Sequence, residues 1–385
     1  MEPAAESGTN DLPGDQVQPR KIVDLFAGPG GLDVAAEKLG VPTVGLEWEA
    51  SACETRRKAG LETVEDDVRR YGPTDFPDAN VLAGGPPCQT FTVAGTGVGR
   101  KALDDVLSFV ERMVNREDRD VIAKDLNNLS DERTGLVLEP LRWALEAIDL
   151  WKIPYKAIVL EQVPAVLPVW EAYAKALQGE GYAVDCDVLS TEMYGVPQTR
   201  KRAVLIARLG AESVSLPSPT HRAYRKSVRR DEGNPSLEPW VTMEDALDRP
   251  YRFSVISNYG TGGDPKDRGR RAHNEPSATV TGKIFRNRVV SDDEEELPRF
   301  SYLEAGQLQT FPRDYPWRGR DVGQQIGNAV PPRLAMHILC AAFGWSEPTD
   351  GMLRKLETWR STTTAPGGRD DVTAKDNGSG ARCAV

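Results

Sequence analysis

The sequence predicts an α/β fold with a doubly wound, mostly parallel sheet and a second, smaller and irregular domain. Over the first half of the chain, short apolar runs alternate with segments of helical periodicity. A glycine-rich turn directly follows the first apolar run, as in sheets that bind ligands at the carboxyl ends of their strands. After Leu209 the alternation gives way to Gly, Pro, Arg and isolated aromatic residues. Strands that alternate with helices indicate a parallel sheet, because the helix carries the chain back to the starting edge.

Apolar runs predict five buried strands, at residues 21–26, 41–47, 80–84, 157–161 and 203–207. Helical spacing of apolar residues predicts helices at residues 32–40, 139–150, 170–177, 302–309 and 332–343. The first of these helices ends at Gly40, which suits a helix C-cap.

The change in residue pattern after Leu209 divides the chain into segments. We expect a main domain at residues 21–215, with residues 324–345 returning to it. Residues 216–298 form the smaller domain and residues 299–323 a hinge. The polar residues 1–20 and 362–385 are expected to be a disordered leader and tail.

Composition limits the classes of protein that the chain can belong to. Five cysteines, odd in number and scattered, argue against a disulfide scaffold, and with three histidines they predict no metal site. No apolar run is long enough to cross a bilayer and residues 1–16 do not resemble a signal peptide, so we expect a cytoplasmic protein without membrane contact.

The charge is unevenly distributed along the acidic chain. The formal net charge is −10, yet residues 200–230 hold nine Lys/Arg against one acid, and residues 264–288 hold seven against three. Each stretch alone is typical of a solvated surface. Two in the same half of the chain favour a face that contacts phosphates.

The glycine-rich turn at residues 24–32 (DLFAGPGGL) lies between a strand and a helix. Glycines let a backbone approach a ligand closely, although many such turns are only tight connections. About 20 residues on, the second strand ends in Glu47, whose carboxylate can hold both hydroxyls of a ribose. Trp48 can stack on an adenine. Together these features predict a nucleoside cofactor, without separating a dinucleotide from S-adenosylmethionine.

Two further residues carry chemistry. Cys88, in GGPPCQTF at residues 84–91, follows a strand and is held by a rigid Pro-Pro pair at the ligand-binding edge of the sheet. Glu161 ends a buried apolar strand, where a carboxylate needs a partner or a task. An inert buried thiol and a structural pair with Arg200 or Arg202 are the alternatives for these two residues.

One reaction uses a nucleoside cofactor, a cysteine such as Cys88 and a carboxylic acid such as Glu161 together. Carbon 5 of cytosine is too electron-poor to attack a methyl donor until a thiolate adds to carbon 6 and makes the ring an enamine. An acid that donates to N3 assists this addition, and the base must first be flipped out of a duplex. A cysteine, a carboxylic acid and a sulfonium donor around one pocket therefore predict cytosine-5 methylation.

The chain resembles the DNA (cytosine-5) methyltransferase family over most of residues 21–343. The resemblance rests on DLFAGPGG, the PCQ loop, the Glu161 strand, QTRKR at residues 198–202, LEAGQLQTFP at residues 303–312 and QQIGNAVPP at residues 324–332, in the family's order. It implies a Rossmann-like methyltransferase fold, S-adenosyl-L-methionine as cofactor and double-stranded DNA as substrate. Residues 216–298 would be the target-recognition domain.

The resemblance also implies roles for individual residues. Cofactor contacts would come from Phe26, Gly28, Gly30, Glu47, Trp48, Asp67 (with Asp66 as the neighbouring alternative), Pro87 and Asn328. Pro87, Cys88 and Gln89 would form a mobile catalytic loop, and Cys88 would be the nucleophile. Glu161 would protonate N3, while Arg200 and Arg202 would support the base. Asn328 would also brace the returning end of the chain.

The sequence departs from the family in two respects. Gln162 stands where the family usually has Asn after the catalytic Glu, which leaves the local hydrogen bonding open. The recognition region is short, so we expect a short target site.

Rival interpretations are an RNA or tRNA cytosine-5 methyltransferase and an inactive DNA-binding homologue. A nicotinamide oxidoreductase leaves Pro-Pro-Cys-Gln unexplained, and exocyclic-nitrogen methyltransferases carry an aromatic residue where Cys88 stands. A monomer suffices for the chemistry. The biological role, whether beside a cognate restriction endonuclease, as a solitary regulator or on a phage, stays open.

Overall fold

The computed structural model describes residues 16–87, 97–127, 133–258 and 269–359, without the side chains of residues 97–100 and 133–134. The predicted tail and the first 15 residues of the predicted leader lie outside these ranges. At the end of the leader the structure differs from the prediction: Val17 is buried and its amide donates to the Phe343 carbonyl at 2.9 Å.

A seven-stranded sheet forms the centre of the main domain. Its strands are β1 (Ile22–Leu25), β2 (Thr43–Glu47), β3 (Thr63–Glu65), β4 (Val81–Gly84), β5 (Ala157–Gln162), β6 (Tyr182–Ser190) and β8 (Lys201–Leu209). They lie in the order β3-β2-β1-β4-β5-β8-β6, with β7 (Gln198–Thr199) outside the sheet. Strands β1 to β5 pair in parallel, whereas β8 is antiparallel to both neighbours. The predicted mostly parallel sheet is confirmed.

Helices follow the strands. They are α1 (Gly31–Lys38), α2 (Ala50–Ala59), α3 (Gly97–Val114), α4 (Arg119–Leu126), α5 (Arg133–Leu136), α6 (Glu139–Asp149), α7 (Leu167–Gly179), α8 (Met243–Ala246), α9 (Tyr302–Leu308), α10 (Val322–Asn328), α11 (Pro332–Phe343) and α12 (Asp350–Arg354). All five predicted helices are present. Within the described ranges no helix is long and apolar enough to cross a membrane.

The sheet separates two apolar clusters, because successive residues of a strand point to opposite faces. Ile22 of β1 packs in one cluster with residues of α1 and α11. Val23 and Leu25 of the same strand pack in the other, with residues of α6 and α7. Near-continuous burial of β1, β4 and β5 explains why these strands are apolar runs without alternation.

Residues 216–298, here called the smaller region, carry a four-stranded antiparallel sheet in the order β10-β9-β12-β13. Its strands are β9 (Ser254–Ile256), β10 (Arg270–Ala272), β12 (Arg288–Val290) and β13 (Glu296–Leu297). The short strand β11 (Ser277–Ala278) lies outside this sheet and pairs in parallel with β7. That pairing joins the smaller region to the segment that carries Arg200 and Arg202.

Candidate active site

The turn between β1 and α1 has an unusual backbone. Phe26, Gly28 and Gly30 have φ angles of 61°, 55° and 101°, all in the left-handed region. For a non-glycine residue this conformation is strained, and such strain concentrates at ligand sites. Gly31 is required for a different reason, since a Cβ there would lie 2.1 Å from the Val330 carbonyl oxygen. The conformation of the turn thus depends on its left-handed residues and on the close packing of Gly31 against Val330.

Glu47 closes over this turn from the end of β2. One carboxylate oxygen accepts the Gly28 amide at 2.8 Å, and the other accepts the amides of Trp48 and Glu49 at 2.9 and 2.8 Å. Burial raises the pKa of Glu47, while these hydrogen bonds oppose the shift. The oxygen bonded to Gly28 retains an acceptor position for a hydroxyl. Trp48 beside it is 49% exposed, so its indole is available for stacking.

The two aspartates that follow β3 differ in their partners. Asp67 caps the next turn and accepts both the amide and the guanidinium of Arg69. The carboxylate of Asp66 accepts Arg70 at 2.9 Å and the Tyr71 hydroxyl at 3.2 Å. The Asp66 amide donates to the Glu47 carbonyl at 3.1 Å, so this turn adjoins Glu47.

The nucleophile loop begins at the end of β4. Gly84 to Pro87 are described, whereas Cys88 and Gln89 lie outside the described residues. The side-chain Nε2 of Gln162 donates to the Pro86 carbonyl at 2.7 Å, and the side-chain Oε1 accepts the Val163 backbone amide at 2.6 Å. Gln162 therefore ties the Pro-Pro segment to the strand that carries Glu161. The hydrogen bonding that the sequence left open at this position is made by the longer side chain.

Glu161 faces the same loop. A Cβ on Gly85 would lie 3.8 Å from its Oε2 atom. Its Oε1 atom lies 2.6 Å from Nε of Arg202, and the two side chains are 9% and 12% exposed. Burial lowers the pKa of Arg202 and the Glu161 charge opposes this shift. Of the two arginines proposed as partners, Arg202 is the one in contact.

Arg200 is buried away from this pair, at 1% exposure. Its Nη1 donates to the Val280 carbonyl at 2.9 Å and its Nη2 to the Gly327 carbonyl at 2.8 Å. Burial and the nearby charge of Arg202 lower its pKa to about 9, against the opposing charge of Glu161. In this structure Arg200 joins the smaller region to α10, and its support of the base stays a prediction.

Three glutamines that the sequence analysis did not single out complete this junction. Gln309 donates to the carbonyls of Ile326 and Ala329 at 2.8 and 2.9 Å, and it accepts a hydrogen bond from Gln198. Gln325, also buried, bridges α10 to α2 through Thr55 and Ser51. All three lie within the motifs QTRKR, LEAGQLQTFP and QQIGNAVPP, but these motifs do not indicate which groups the glutamines contact.

The expected bracing by Asn328 is wrong in this structure. Its side chain is exposed and accepts a hydrogen bond from Gln324 one turn earlier. Because α10 turns Gln325 towards the core, that residue holds the helix against α2 instead. The cofactor contact predicted for Asn328 stays a prediction.

The basic residues of the smaller region are mainly on its surface. Arg225, Lys226, Arg229, Lys283 and Arg286 are exposed, whereas Arg222 and Arg230 bind backbone carbonyls. Of the second basic stretch, residues 264–268 lie outside the described ranges. Within the described part of the chain, no group of three His, Cys, Asp or Glu residues could hold a metal ion.

Comparison with known proteins defines the class. The model of the C-5 cytosine-specific DNA methylase family matches residues 20–343. The chain belongs to this family and is a DNA cytosine-5 methyltransferase. The motif order in the sequence and the arrangement of β1, β2, β4, β5 and β8 agree with this assignment.

Individual relatives are moderately similar. The chain is 30% identical over 358 residues to the type II methyltransferase M.NgoFVII of Neisseria gonorrhoeae, covering 81% of this chain and 83% of that one. It is 26% identical to M1.HphI of Haemophilus parahaemolyticus, covering 82% and 84%. The crystal structure of the S. pombe Dnmt2 methyltransferase has a TM-score of 0.55 at 17% identity, covering 84% and 98%. This structural likeness concerns the fold.

Proposed function

We propose that this enzyme transfers a methyl group from S-adenosyl-L-methionine to carbon 5 of a flipped-out cytosine in duplex DNA, through a covalent bond between Cys88 and carbon 6. The observation that carries the proposal is the meeting of two segments. Gln162 binds the Pro86 carbonyl, so the segment that leads to Cys88 is tied to the strand that carries Glu161. This contact supports a proposed nucleophile and a proposed acid at one edge of the sheet.

The residues around the first turn suit the proposed cofactor. Glu47 retains an acceptor for a ribose hydroxyl, and Trp48 offers an exposed aromatic face. Gly28 and Gly30 have no side chain to block the approach, and Phe26 packs against the apolar core beside them. Asp67 is the proposed partner of the adenine amino group, which requires it to share its bonds with Arg69. Pro87 and Asn328 complete the proposed contacts. The cofactor supplies an electrophilic methyl group on sulfur.

Each catalytic side chain has a task in this proposal. The Cys88 thiolate adds to carbon 6, and Glu161 donates a proton to N3, so that the electrons of the ring reach carbon 5. Arg202 orients the Glu161 carboxyl and contributes positive charge beside the base. After methyl transfer, loss of the carbon 5 proton and expulsion of the thiolate restore the aromatic ring.

DNA contact is assigned to the exposed basic residues of the smaller region, which would bind phosphates. Gln89 would follow the nucleophile over the flipped base. We place the enzyme in the cytoplasm as a monomer. The names of its relatives, type II methyltransferases, support a role in modification beside a restriction endonuclease.

The test is methyl transfer from tritiated S-adenosylmethionine to duplex DNA, with Cys88→Ala in parallel. We expect label as 5-methylcytosine with the wild type and none with the variant. Label in tRNA but not in DNA would overturn the substrate. Wild-type activity in Cys88→Ala would overturn the covalent mechanism.

A further inference from the structure

A charged residue lies beneath the cofactor turn and takes no part in the proposed chemistry. Arg56, in the middle of α2, is completely buried. Its guanidinium forms two hydrogen bonds with Asp33 at 2.8 and 2.9 Å, in a planar fork that matches a carboxylate. Its other donors reach the Thr63 hydroxyl at 3.1 Å and the Glu62 carbonyl at 3.2 Å.

Arg56 also reaches the turn itself, because Nη1 lies 3.5 Å from the Ala27 carbonyl. Ala27 stands between the left-handed residues Phe26 and Gly28. Asp33 lies in the first turn of α1, directly after the cofactor turn, and also accepts the Thr43 hydroxyl at 2.7 Å. The pair therefore joins α2 to both ends of the segment that shapes the cofactor site.

Space for Arg56 depends on Gly45 of β2. A Cβ on Gly45 would lie 1.9 Å from Nη2 of Arg56, whereas a Cβ on Gly30 would lie in ordinary contact with Nη1 at 3.5 Å. The guanidinium thus lies under β2 in a gap that a side chain on Gly45 would fill. Such close fit leaves the ion pair little freedom to rearrange.

The positive charge of Arg56 lies among buried carboxyl groups, Asp33 and Asp24. Burial and the nearby Asp33 carboxylate raise the pKa of Asp24, a buried residue of β1, well above its usual value, which favours the neutral form of this carboxyl group. Burial alone would raise the pKa of Asp33, but Arg56 lowers it. The Asp33 carboxylate and the Arg56 guanidinium are in contact and fully hydrogen-bonded, which is the condition for a buried ion pair to be tolerated.

The turn needs support from below because its conformation is strained. Glu47 holds Gly28 from the ligand side, and the Tyr315 hydroxyl donates to the Pro29 carbonyl at 2.5 Å. Strained backbone persists only where its surroundings over-determine it. Arg56 supplies the contact to Ala27 that neither Glu47 nor Tyr315 makes.

We propose that Arg56, through its paired hydrogen bonds with Asp33 and its contact with Ala27, is a positioning residue for the cofactor. It touches no reacting atom. It keeps the turn in the shape that admits the cofactor, so its loss weakens cofactor binding more than it slows the chemical step. The proposal rests on the proposed function, in which S-adenosylmethionine binds at this turn.

The experiment compares three variants of the full chain: Arg56→Met, Arg56→Lys and Arg208→Met. Arg208 is the matched control, because it is also a buried arginine. It lies near the end of β8, opposite the first residue of β5, and so at the edge of the main sheet away from Glu161 and Arg202. The readouts are the Kd of S-adenosylhomocysteine by calorimetry, KM and kcat for methyl transfer, and Tm.

We expect Arg56→Met to raise Kd and KM for the cofactor about tenfold or more while kcat at saturation stays within about threefold. Arg56→Lys keeps the charge without the planar fork, so it should recover part of the affinity. Arg208→Met should lower Tm without changing Kd. If Arg56→Met does not fold, Asp33→Asn, which keeps the shape and removes the charge, should raise Kd in the same way.

Folded Arg56→Met or Asp33→Asn with wild-type Kd would overturn the proposal. So would an equal rise of Kd in Arg208→Met, which would mark a general loss of stability. Failure of the wild type to bind S-adenosylhomocysteine would instead overturn the proposed function, and the two failures are therefore distinguishable.

Discussion

Nε of Arg202 lies 2.6 Å from Oε1 of Glu161, and the pair joins the beginning of β8 to the end of β5. Because β8 runs antiparallel to β5, its first residues reach the edge where the parallel strands end. The antiparallel strand thus brings a guanidinium to the proposed acid that is 41 residues away in sequence.

Glu161→Gln should lower kcat about 100-fold or more while leaving the Kd of S-adenosylhomocysteine within about twofold. The amide keeps the size of the side chain but cannot donate an acid proton to N3. Single-turnover methyl transfer measures the effect. Glu304→Gln, which changes a glutamate paired with Arg249 outside the site, is the control and should keep kcat near wild type. Equal activity of Glu161→Gln and wild type would contradict the role as acid.

Gln162→Leu should slow formation of the covalent complex with DNA containing 5-fluorocytosine about tenfold. The variant loses the hydrogen bond to the Pro86 carbonyl, so the loop that leads to Cys88 is held less well. Gln162→Asn, whose side chain is shorter by one methylene, should form the complex at a rate between those of the wild type and Gln162→Leu. Gel analysis of the trapped complex gives the rate, and Gln178→Leu on the exposed face of α7 serves as control. An unchanged rate in Gln162→Leu would remove Gln162 from the proposed mechanism.

Gln309→Leu should lower the free energy of unfolding by about 2–4 kcal/mol, because it leaves the buried Ile326 carbonyl without its donor and removes the shorter of the two hydrogen bonds to the Ala329 carbonyl. Urea denaturation followed by fluorescence measures the change. Gln324→Leu, at an exposed position of α10, should change it by less than about 0.5 kcal/mol. Similar losses in both variants would show that the buried hydrogen bonds are not the cause.

Stability should fall as the pH drops below about 6.5. Burial and the charges of Arg333 and Arg230 lower the pKa of His221 to about 4, and burial, Arg333 and His221 lower the pKa of His337 to about 3. Both histidines bind protons more readily unfolded than folded, so between these values and 6.5 each lowering of the pH favours unfolding.

His337→Phe removes one of these two groups. Between pH 6 and 4 the variant should lose stability less steeply than the wild type, by about 1.4 kcal/mol per pH unit. Urea denaturation across this range gives both slopes, and the difference cancels the carboxylates common to both proteins. Parallel slopes would mean that His337 takes up a proton in the folded protein.

The sequence alone predicted five of the seven strands of the main sheet and the helices α1, α6, α7, α9 and α11, since β1, β4 and β5 are apolar throughout and these helices keep their spacing. It also predicted site roles for Glu47, Cys88 and Glu161, because Glu47 and Glu161 end predicted strands and Cys88 lies in the loop after one. Among the elements that it missed are the short strand β3, the helices α2 and α3, and β6, in which half-buried residues replace a clear apolar pattern. It also missed the amphipathic helix α4, which has one buried residue, Ile122.

The sequence by itself determined the features that depend on local order: the parallel α/β sheet, the turn that suits a nucleoside and the residues at the strand ends. Only the tertiary structure decided which distant groups meet. It paired Glu161 with Arg202, placed Arg200 among backbone carbonyls, gave the bracing to Gln325 and put Arg56 under the cofactor turn. The physical reason is that a side chain's partners depend on the packing of segments far apart in the chain, which periodicity and spacing do not encode.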